Sequence, residues 1–323
     1  GIPTYHFAHI IDDHFMGTTH VVRGEEWLAT LNIHLQLFRT MGWKAPKYVH
    51  TAQLMKMDGG SKRKLSKRKD PELALDFYNA EGYPVPSVLE YLMTLLNSNF
   101  EDWRLANPTA PMGDFQFTTK KMGNSGSLFD IDKLKDVSKN TISVMSADQV
   151  YDEVTAWAKD FDPQLYTLLT ADRQKAKAIF AIGRGGAKPR KDIAIWSEVK
   201  DYVAFFYEEL FTAASEYPEN VSTQDALDIL TQYRSLYSPA DDGETWFNKV
   251  RELGESLGFA AKPKDYKKNP DQYKGHVGDV SQVIRLAITG RTNSPDLCSV
   301  MQILGEEVCQ QRLAQAIELL SNR

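Results

Sequence analysis

Apolar positions are spaced along the chain in two different ways. Over the first fifty residues they come as short segments. Residues 7–11 are apolar and fit a helix or a strand by periodicity alone. Residues 18–22 are β-branched and predict a strand, 27–39 a helix, and 47–50 the next strand. Arg23-Gly24-Glu25-Glu26 then falls at the C-terminal end of the first strand, the edge where ligands bind in parallel α/β sheets. From Asp70 the spacing becomes helical: one amphipathic helix over 71–80, stopped by Gly82 and Pro84, and a second over 88–97. Residues 98–128, with Gly, Asn, Pro and Thr, read as irregular. From Ser146 onward every signal is helical. Ser146-Ala147-Asp148-Gln149 is a capping box ahead of 150–158, and Thr170 stands as the cap of 171–181. An aromatic-rich helical region over 191–211 follows, then helices over 224–237, 243–257 and 280–289, the last closed by Gly290. Ser294-Pro295-Asp296 opens a helix stopped near Gly305, and a final helix ends at Leu320. The expected architecture is mainly α: a strand, a helix, a strand and a loop of a parallel α/β pattern, then helices.

Composition narrows the function classes. At 323 residues, two or three domains are expected, and 42% hydrophobic with 25% charged residues is ordinary for a globular protein. No apolar run is long enough to span a bilayer, so no membrane partner is expected. Cys298 and Cys309 are the only cysteines, which excludes a disulfide framework and a four-cysteine zinc site and points to a cytoplasmic protein. A net charge of -5 leaves nucleic-acid binding to local patches. Six of the seven histidines precede residue 51. With Asp12 and Asp13, the spacing of His6, His9 and His14 matches no compact ligand motif such as HExxH, so they are expected as core or hydrogen-bonding side chains, with no metal site. The chain opens at Gly1 without Met, directly into dense sequence, and reads as a fragment whose N-terminal part is missing.

One stretch stands apart from this acidic balance. Six of the eight residues from Lys62 to Lys69 are Lys or Arg. Such a run is most often a solvated face. Here Gly59 and Gly60 free the backbone before it, and Asp70-Pro71 reads as N-cap and first helical residue after it. Mobile ammonium groups on a glycine-hinged loop suit an anion whose charge grows during reaction, such as a polyphosphate.

The core of that run, Lys64-Leu65-Ser66-Lys67-Arg68, resembles the KMSKS signature of class I aminoacyl-tRNA synthetases. The stretches around it are similar to the second half of the catalytic domain of bacterial glutamyl-tRNA synthetases: residues 1–8, Asp12-Asp13-His14-Phe15-Met16-Gly17, Val22-Arg23-Gly24-Glu25-Glu26-Trp27, Gly42-Trp43 and Ala80-Glu81-Gly82-Tyr83. Residues 129–134 and the end, Ala287-Ile288-Thr289-Gly290 and Ser294-Pro295-Asp296-Leu297, also resemble the family. The segments around 96–103 and 136–140 depart from its pattern. The resemblance implies residues 1–70 as the C-terminal part of a Rossmann-type α/β catalytic domain, 71–145 as a helical stem-contact domain, and 146–323 as an all-α anticodon-binding domain with subdomains divided near 240. The glutaminyl enzymes of the subclass use β-barrels there instead. No HIGH motif occurs, and the family carries that signature upstream, so the fragment alone is expected to be inactive.

By the same resemblance, the activity is ATP-dependent attachment of glutamate to tRNA through glutamyl-adenylate. Lys64 and Lys67 match the loop lysines, with Lys67 on the ATP phosphates. Arg23 matches the holder of the substrate carboxylate, and Tyr5 lines the same pocket. Glu26 and Leu54 match residues near the nucleotide. Arg190, in Lys188-Pro189-Arg190-Lys191-Asp192, matches an anticodon-reading arginine. Apart from the resemblance, Lys262, Lys264, Lys267 and Lys268 around Tyr266 read as a solvated cluster first and as a grip on the tRNA backbone second. The implied partners are tRNA(Glu), ATP with Mg2+ as substrate, and L-glutamate, with no tightly bound cofactor, acting on a monomer. The competing readings are a non-catalytic tRNA-binding module and a glutaminyl-tRNA synthetase.

Overall fold

The computed structural model describes residues 1–123 and 126–322. The chain divides into two compact units, Gly1–Val144 and Met145–Arg323.

The first unit opens with helix α1 (Tyr5–Phe15), strand β1 (His20–Gly24), a 3-10 segment Glu25–Thr30, helix α2 (Leu31–Thr40) and strand β2 (Lys47–Thr51). The α2 crossover makes β1 and β2 parallel neighbours, in the register Val21 with Tyr48 and Arg23 with His50. The core here is thin: Ile10 and Phe38 are its buried hydrophobic anchors, while Val22, Phe15, Leu28 and Ile33 stay exposed. His14 closes the end of α1 by stacking on Trp43 at 3.9 Å.

Strand β3 (Leu54–Asp58) follows after two residues and turns back as β4 (Ser61–Lys64). Asp58 pairs with Ser61, so Gly59 and Gly60 are the whole connection, at φ 54° and 88°. Positive φ at both central residues makes a type I′ turn, whose twist matches that of the strands. Strand β5 (Ser127–Leu128) adds in parallel on the other side of β3. Helix α3 (Leu75–Glu81) packs on the turn before it, and α4 (Val85–Leu96) packs with α5 (Phe100–Ala106) and α6 (Ile131–Ser143), burying Tyr91, Phe100, Leu134 and Ile142.

The second unit holds helices α7 (Ala147–Phe161), α8 (Pro163–Ala171), α9 (Arg173–Ala181), α10 (Val199–Val203), α11 (Thr223–Leu236), α12 (Gly243–Ser256), α13 (Pro263–Lys268), α14 (Val277–Thr289), α15 (Leu297–Leu304) and α16 (Glu306–Ser321). Its described residues contain no strand, only an isolated bridge between Ala260 and His276. The expected capping box is present: Ser146 Oγ accepts from the Gln149 amide at 3.2 Å, and Gln149 Oε1 accepts from the Ser146 amide at 2.8 Å. Gly290, at φ 69°, ends α14 where an added Cβ would meet Thr212 O at 2.0 Å.

Several expected elements differ. The helix over 27–39 is a 3-10 segment followed by α2. The helix over 71–80 is a 3-10 turn Pro71–Leu73, then α3, broken where Ala74 is extended. Its presumed N-cap, Asp70, turns its carboxylate away from that turn toward Arg63 and Ser66. The "irregular" 98–128 contains α5 and β5. Thr170 lies inside α8, bonding back to Tyr166 O at 2.7 Å, and the cap of α9 is Asp172, which accepts from Lys175 N at 2.9 Å. The region over 191–211 is broken into 3-10 segments around the five-residue α10. Ile193, Ile195, Trp196, Phe205 and Phe206 are buried while Ser197, Asp201 and Glu208 stay exposed, so short turns rather than one continuous helix carry its apolar side chains into the core.

Candidate functional site

Arg23 stands next to the last residue of β1, beside His50 in the parallel pair. Its Nε donates to His50 Nε2 at 3.1 Å. One terminal nitrogen lies 3.0 Å from His34 Nδ1, and the other donates to Trp27 O at 3.2 Å. The guanidinium sits 4.9 Å over the Tyr48 ring. All three acceptors are neutral groups. Among the described residues no carboxylate pairs with Arg23, whereas Arg63, Arg104, Arg190, Arg291 and Arg312 each have one.

Tyr5, from the first turn of α1, lies beside this group. It is 52% exposed, with its ring 4.9 Å from Trp27, 5.8 Å from His9 and 6.3 Å from His34. The structure therefore brings Tyr5 and Arg23 together around His34. His34 is fully buried, and its Nε2 lies 3.0 Å from His6 Nδ1. Burial, with the charges of His9, Arg23 and His6 nearby, pulls the His34 imidazole down to about 4. Burial and Arg23 likewise lower His50. Burial pushes the Tyr48 hydroxyl up to about 12. His9 Nε2 lies 3.2 Å from the Tyr48 hydroxyl and 3.2 Å from Asp13 Oδ2, but that oxygen is poorly aligned and remains buried without a hydrogen bond. Sequence reading singled out neither His34 nor His50, which are polar residues in otherwise periodic segments. Their only distinguishing sign was the crowding of histidines before residue 51.

The basic run is not a freely hinged loop. Its first part is β4, and its two glycines form the I′ turn. Leu65 is buried, and its amide donates to Leu54 O at 3.1 Å, which anchors the centre of the motif to β3. Asp70, 2% exposed, closes the loop: it takes Arg63 bidentately at 2.6 and 2.8 Å and the Ser66 amide at 2.8 Å. Lys56 lies 3.7 Å from it and pairs with the buried Glu72. The Arg63 guanidinium and the Ser66 amide hold the Asp70 carboxyl well below the usual carboxylate range. Arg63 also binds Asp58 at 2.6 Å. Of the six cations, Arg63 is thus structural. Lys62, Lys64, Lys67, Arg68 and Lys69 are exposed, and among the described residues no carboxylate pairs with them.

The remaining expected residues are placed as follows. Glu26 curls over Gly24, so closely that a Cβ there would fall 2.1 Å from its Oε2. Its neighbour Glu25 accepts from the Gln53 amide at 3.2 Å, tying the β1 end to the segment before the hairpin. Leu54, half-buried, opens β3 at the base of the lysine loop. In the second unit, Arg190 is engaged bidentately with Asp192 at 2.6 and 2.9 Å. It lines a recess of about 260 Å3 with Tyr202, Arg291, Asn293 and Pro295, where Arg291 is likewise held by Asp201. Lys267 and Lys268 end α13, exposed.

Residues 1–136 match the family model of the catalytic domain of class I tRNA synthetases for E and Q, and residues 158–317 match an anticodon-binding domain. The chain belongs to the class I glutamyl- and glutaminyl-tRNA synthetases. It is 51% identical over 317 residues to a glutamate–tRNA ligase of Acetivibrio thermocellus, covering 98% of this chain and 58% of the relative. It is 49% identical over 324 residues to that of Clostridium beijerinckii, covering 99% and 59%. Among solved structures, a glutamate tRNA ligase from Elizabethkingia meningosepticum in complex with its amino acid aligns with a TM-score of 0.69 at 24% identity, over 98% of this chain and 60% of that one. This last likeness speaks for the fold. The chain thus spans somewhat under three-fifths of the curated relatives' length. Among the described residues no helix is long and apolar enough to cross a membrane.

Proposed function

We propose that these residues serve glutamate–tRNA ligation: ATP activates glutamate as an adenylate, and the acyl group passes to tRNA(Glu). The observation that carries this reading is the division of labour in the basic loop. One cation, Arg63, is consumed by Asp70 and Asp58 to hold the loop, and among the described residues no carboxylate pairs with the lysines that follow the family motif. A rigid presentation of unpaired ammonium groups suits a pyrophosphate leaving group, whose charge builds up in an in-line displacement. Lys67 contacts the phosphates and Lys64 supports it, with Glu26 and Leu54 beside the nucleotide. Mg2+ arrives as a component of the ATP substrate.

Arg23 and Tyr5 receive the amino acid. Three of the five guanidinium N–H groups are used internally, which leaves one on each terminal nitrogen for a substrate carboxylate. A cation without an anionic partner favours glutamate over glutamine. The second unit, whose described residues form no strand, also favours the glutamyl over the glutaminyl reading. In that unit Arg190 reads the anticodon after exchanging Asp192 for a base, and the α13 lysines hold the tRNA backbone. The domain limits near 70 and 240, the monomeric state and a cytoplasmic site belong to the same proposal.

The test is glutamate-dependent ATP–pyrophosphate exchange by an enzyme containing these residues. Lys67→Ala should lower kcat roughly 10²–10³-fold, as for loss of one transition-state charge contact. The glutamate KM should stay nearly constant. A lowered glutamate affinity with intact kcat would place Lys67 elsewhere.

A further inference from the structure

The structure assigns His34 and His50 a role that neither the sequence nor the family match supplies: they are positioning residues that hold Arg23 through neutral acceptor nitrogens, keeping its charge available to the substrate carboxylate. This rests on the reading of Arg23 as the glutamate-carboxylate residue.

A carboxylate is the strongest side-chain partner for an arginine. Several arginines of this chain use one, as in the bidentate pairs of Arg63 with Asp70 and Arg291 with Asp201, while Arg285 is held by oxygens of Ser294 and Pro295. A carboxylate fixes the fork strongly but neutralises it, and an incoming substrate carboxylate would meet an occupied, compensated cation. Arg23 is fixed differently. His50 Nε2 takes its Nε–H at 3.1 Å, His34 Nδ1 takes a terminal N–H at 3.0 Å, and Trp27 O takes another at 3.2 Å. The geometry is restrained at three points and the charge is untouched.

This arrangement dictates tautomers. His34 must accept at Nδ1, so its proton sits on Nε2 and donates to His6 Nδ1, 3.0 Å away. His50 must accept at Nε2, so its proton sits on Nδ1. A second proton on either ring would point a donor at the guanidinium. The surroundings oppose that protonation from every side. His34, on α2, faces His6, His9 and Tyr5 of α1, Arg23 of β1 and Tyr48 of β2. His50, on β2, faces Arg23 and the Tyr48 ring. The neighbouring carboxylates, Asp12 and Asp13, act on His9, and Asp13 also on Tyr48. Burial and the Arg23 charge lower both His34 and His50, so both stay neutral at physiological pH.

The two rings use different nitrogens, and this supplies a test that a merely structural role would not pass. The Asn side-chain oxygen stands near an imidazole Nδ1, and the Gln oxygen near Nε2. At position 34, His34→Asn keeps the acceptor and His34→Gln misplaces it. At position 50 the preference reverses: His50→Gln keeps it and His50→Asn does not. In the purified 323-residue chain with 15N-labelled arginine, the Arg23 Nε–H should exchange with water about tenfold or more faster in His50→Asn than in His50→Gln or wild type, the ratio for one hydrogen bond to a charged group. L-glutamate, titrated against L-glutamine as control and followed by the Arg23 resonances, should bind about tenfold or more weakly to His34→Gln and His50→Asn than to their matched partners. The crossed preference supports the assignment. Equal Arg23 exchange and equal glutamate affinity in all four variants would overturn it. Glutamate binding that ignores Arg23→Gln would instead remove the carboxylate reading, while the exchange rates still decide whether His50 holds Arg23.

Discussion

His34 carries a cost that a hydrophobic residue would not, and its sign can be worked out. Its folded-state pKa, about 4, lies below the ordinary histidine value of about 6.5. Between these values the unfolded chain binds the proton and the folded one does not. The contribution to stability is therefore complete above about pH 6.5 and is lost as pH falls through about 4. Urea unfolding of the chain from pH 7 to pH 4 should show the first unit losing stability over that window. His34→Asn, which has no proton to take up, should lose less, and the difference between the two curves isolates this residue from the carboxylates. Parallel curves would mean that His34 is charged in the fold, which the bond to Arg23 does not permit. Arg23 itself was legible as a candidate from its place after a strand. Its holders were not, because a histidine in an apolar segment has the same appearance whether it fills space or accepts a hydrogen bond.

The hairpin β3–β4 and the loop beyond it form the element on which the proposed chemistry rests. The sequence showed the run of cations, the two glycines and the acid–proline pair. It did not show that Arg63 belongs to the frame, or that Asp70 abandons the cap to close the loop. Local capping and a bidentate ion pair compete for the same carboxylate here. The pair prevails because Arg63 brings charge and two parallel bonds, where a cap offers amide donors alone. Asp70→Asn should loosen the loop without unfolding the unit: amides of residues 65–69 should exchange faster with solvent, and kcat for pyrophosphate exchange should fall while the glutamate KM holds. Hydrogen-exchange mass spectrometry with the exchange assay reads both. Protection equal to wild type would show that Leu65 alone anchors the motif. The lowered Asp70 carboxyl keeps this closure intact from neutral pH to below the usual carboxylate range, the direction expected of a depressed acid.

At the scale of the whole molecule the two units differ in how they are held. The second has a dense apolar centre in which α11, α14 and α16 bury Ile229, Leu230, Val283, Ile284 and Leu313. The opening 52 residues of the first rely on Ile10 and Phe38 and leave several large apolar side chains in solvent. Residues 145–323 expressed alone should therefore fold and unfold cooperatively, with slow exchange in α11, α14 and α16. They should bind glutamate tRNA with an affinity that falls as salt rises. Lys267→Ala should weaken all tRNAs alike and flatten the salt dependence, while Arg190→Ala should cost about 1–3 kcal/mol of anticodon discrimination. Equal losses on cognate and anticodon-swapped tRNA would reduce Arg190 to a backbone contact.

The order of motifs, the lysine loop and the helical character of everything after Ser146 could be read from the sequence, because each rests on neighbours within a few residues: a cap, a glycine pair, an apolar period. Boundaries failed where two local signals competed, as at Asp70 and Thr170, or where a dense run of buried apolar residues gave no clear helical period, as from Ile193 to Phe206. The tertiary structure alone decided what surrounds the charges proposed to act on substrate. Arg23 meets His50 across 27 residues and His34 across 11, because the β1–β2 register and the α2 crossover bring them there. Whether a side chain is neutralised or left charged depends on partners far off in the chain, and no local pattern encodes that choice.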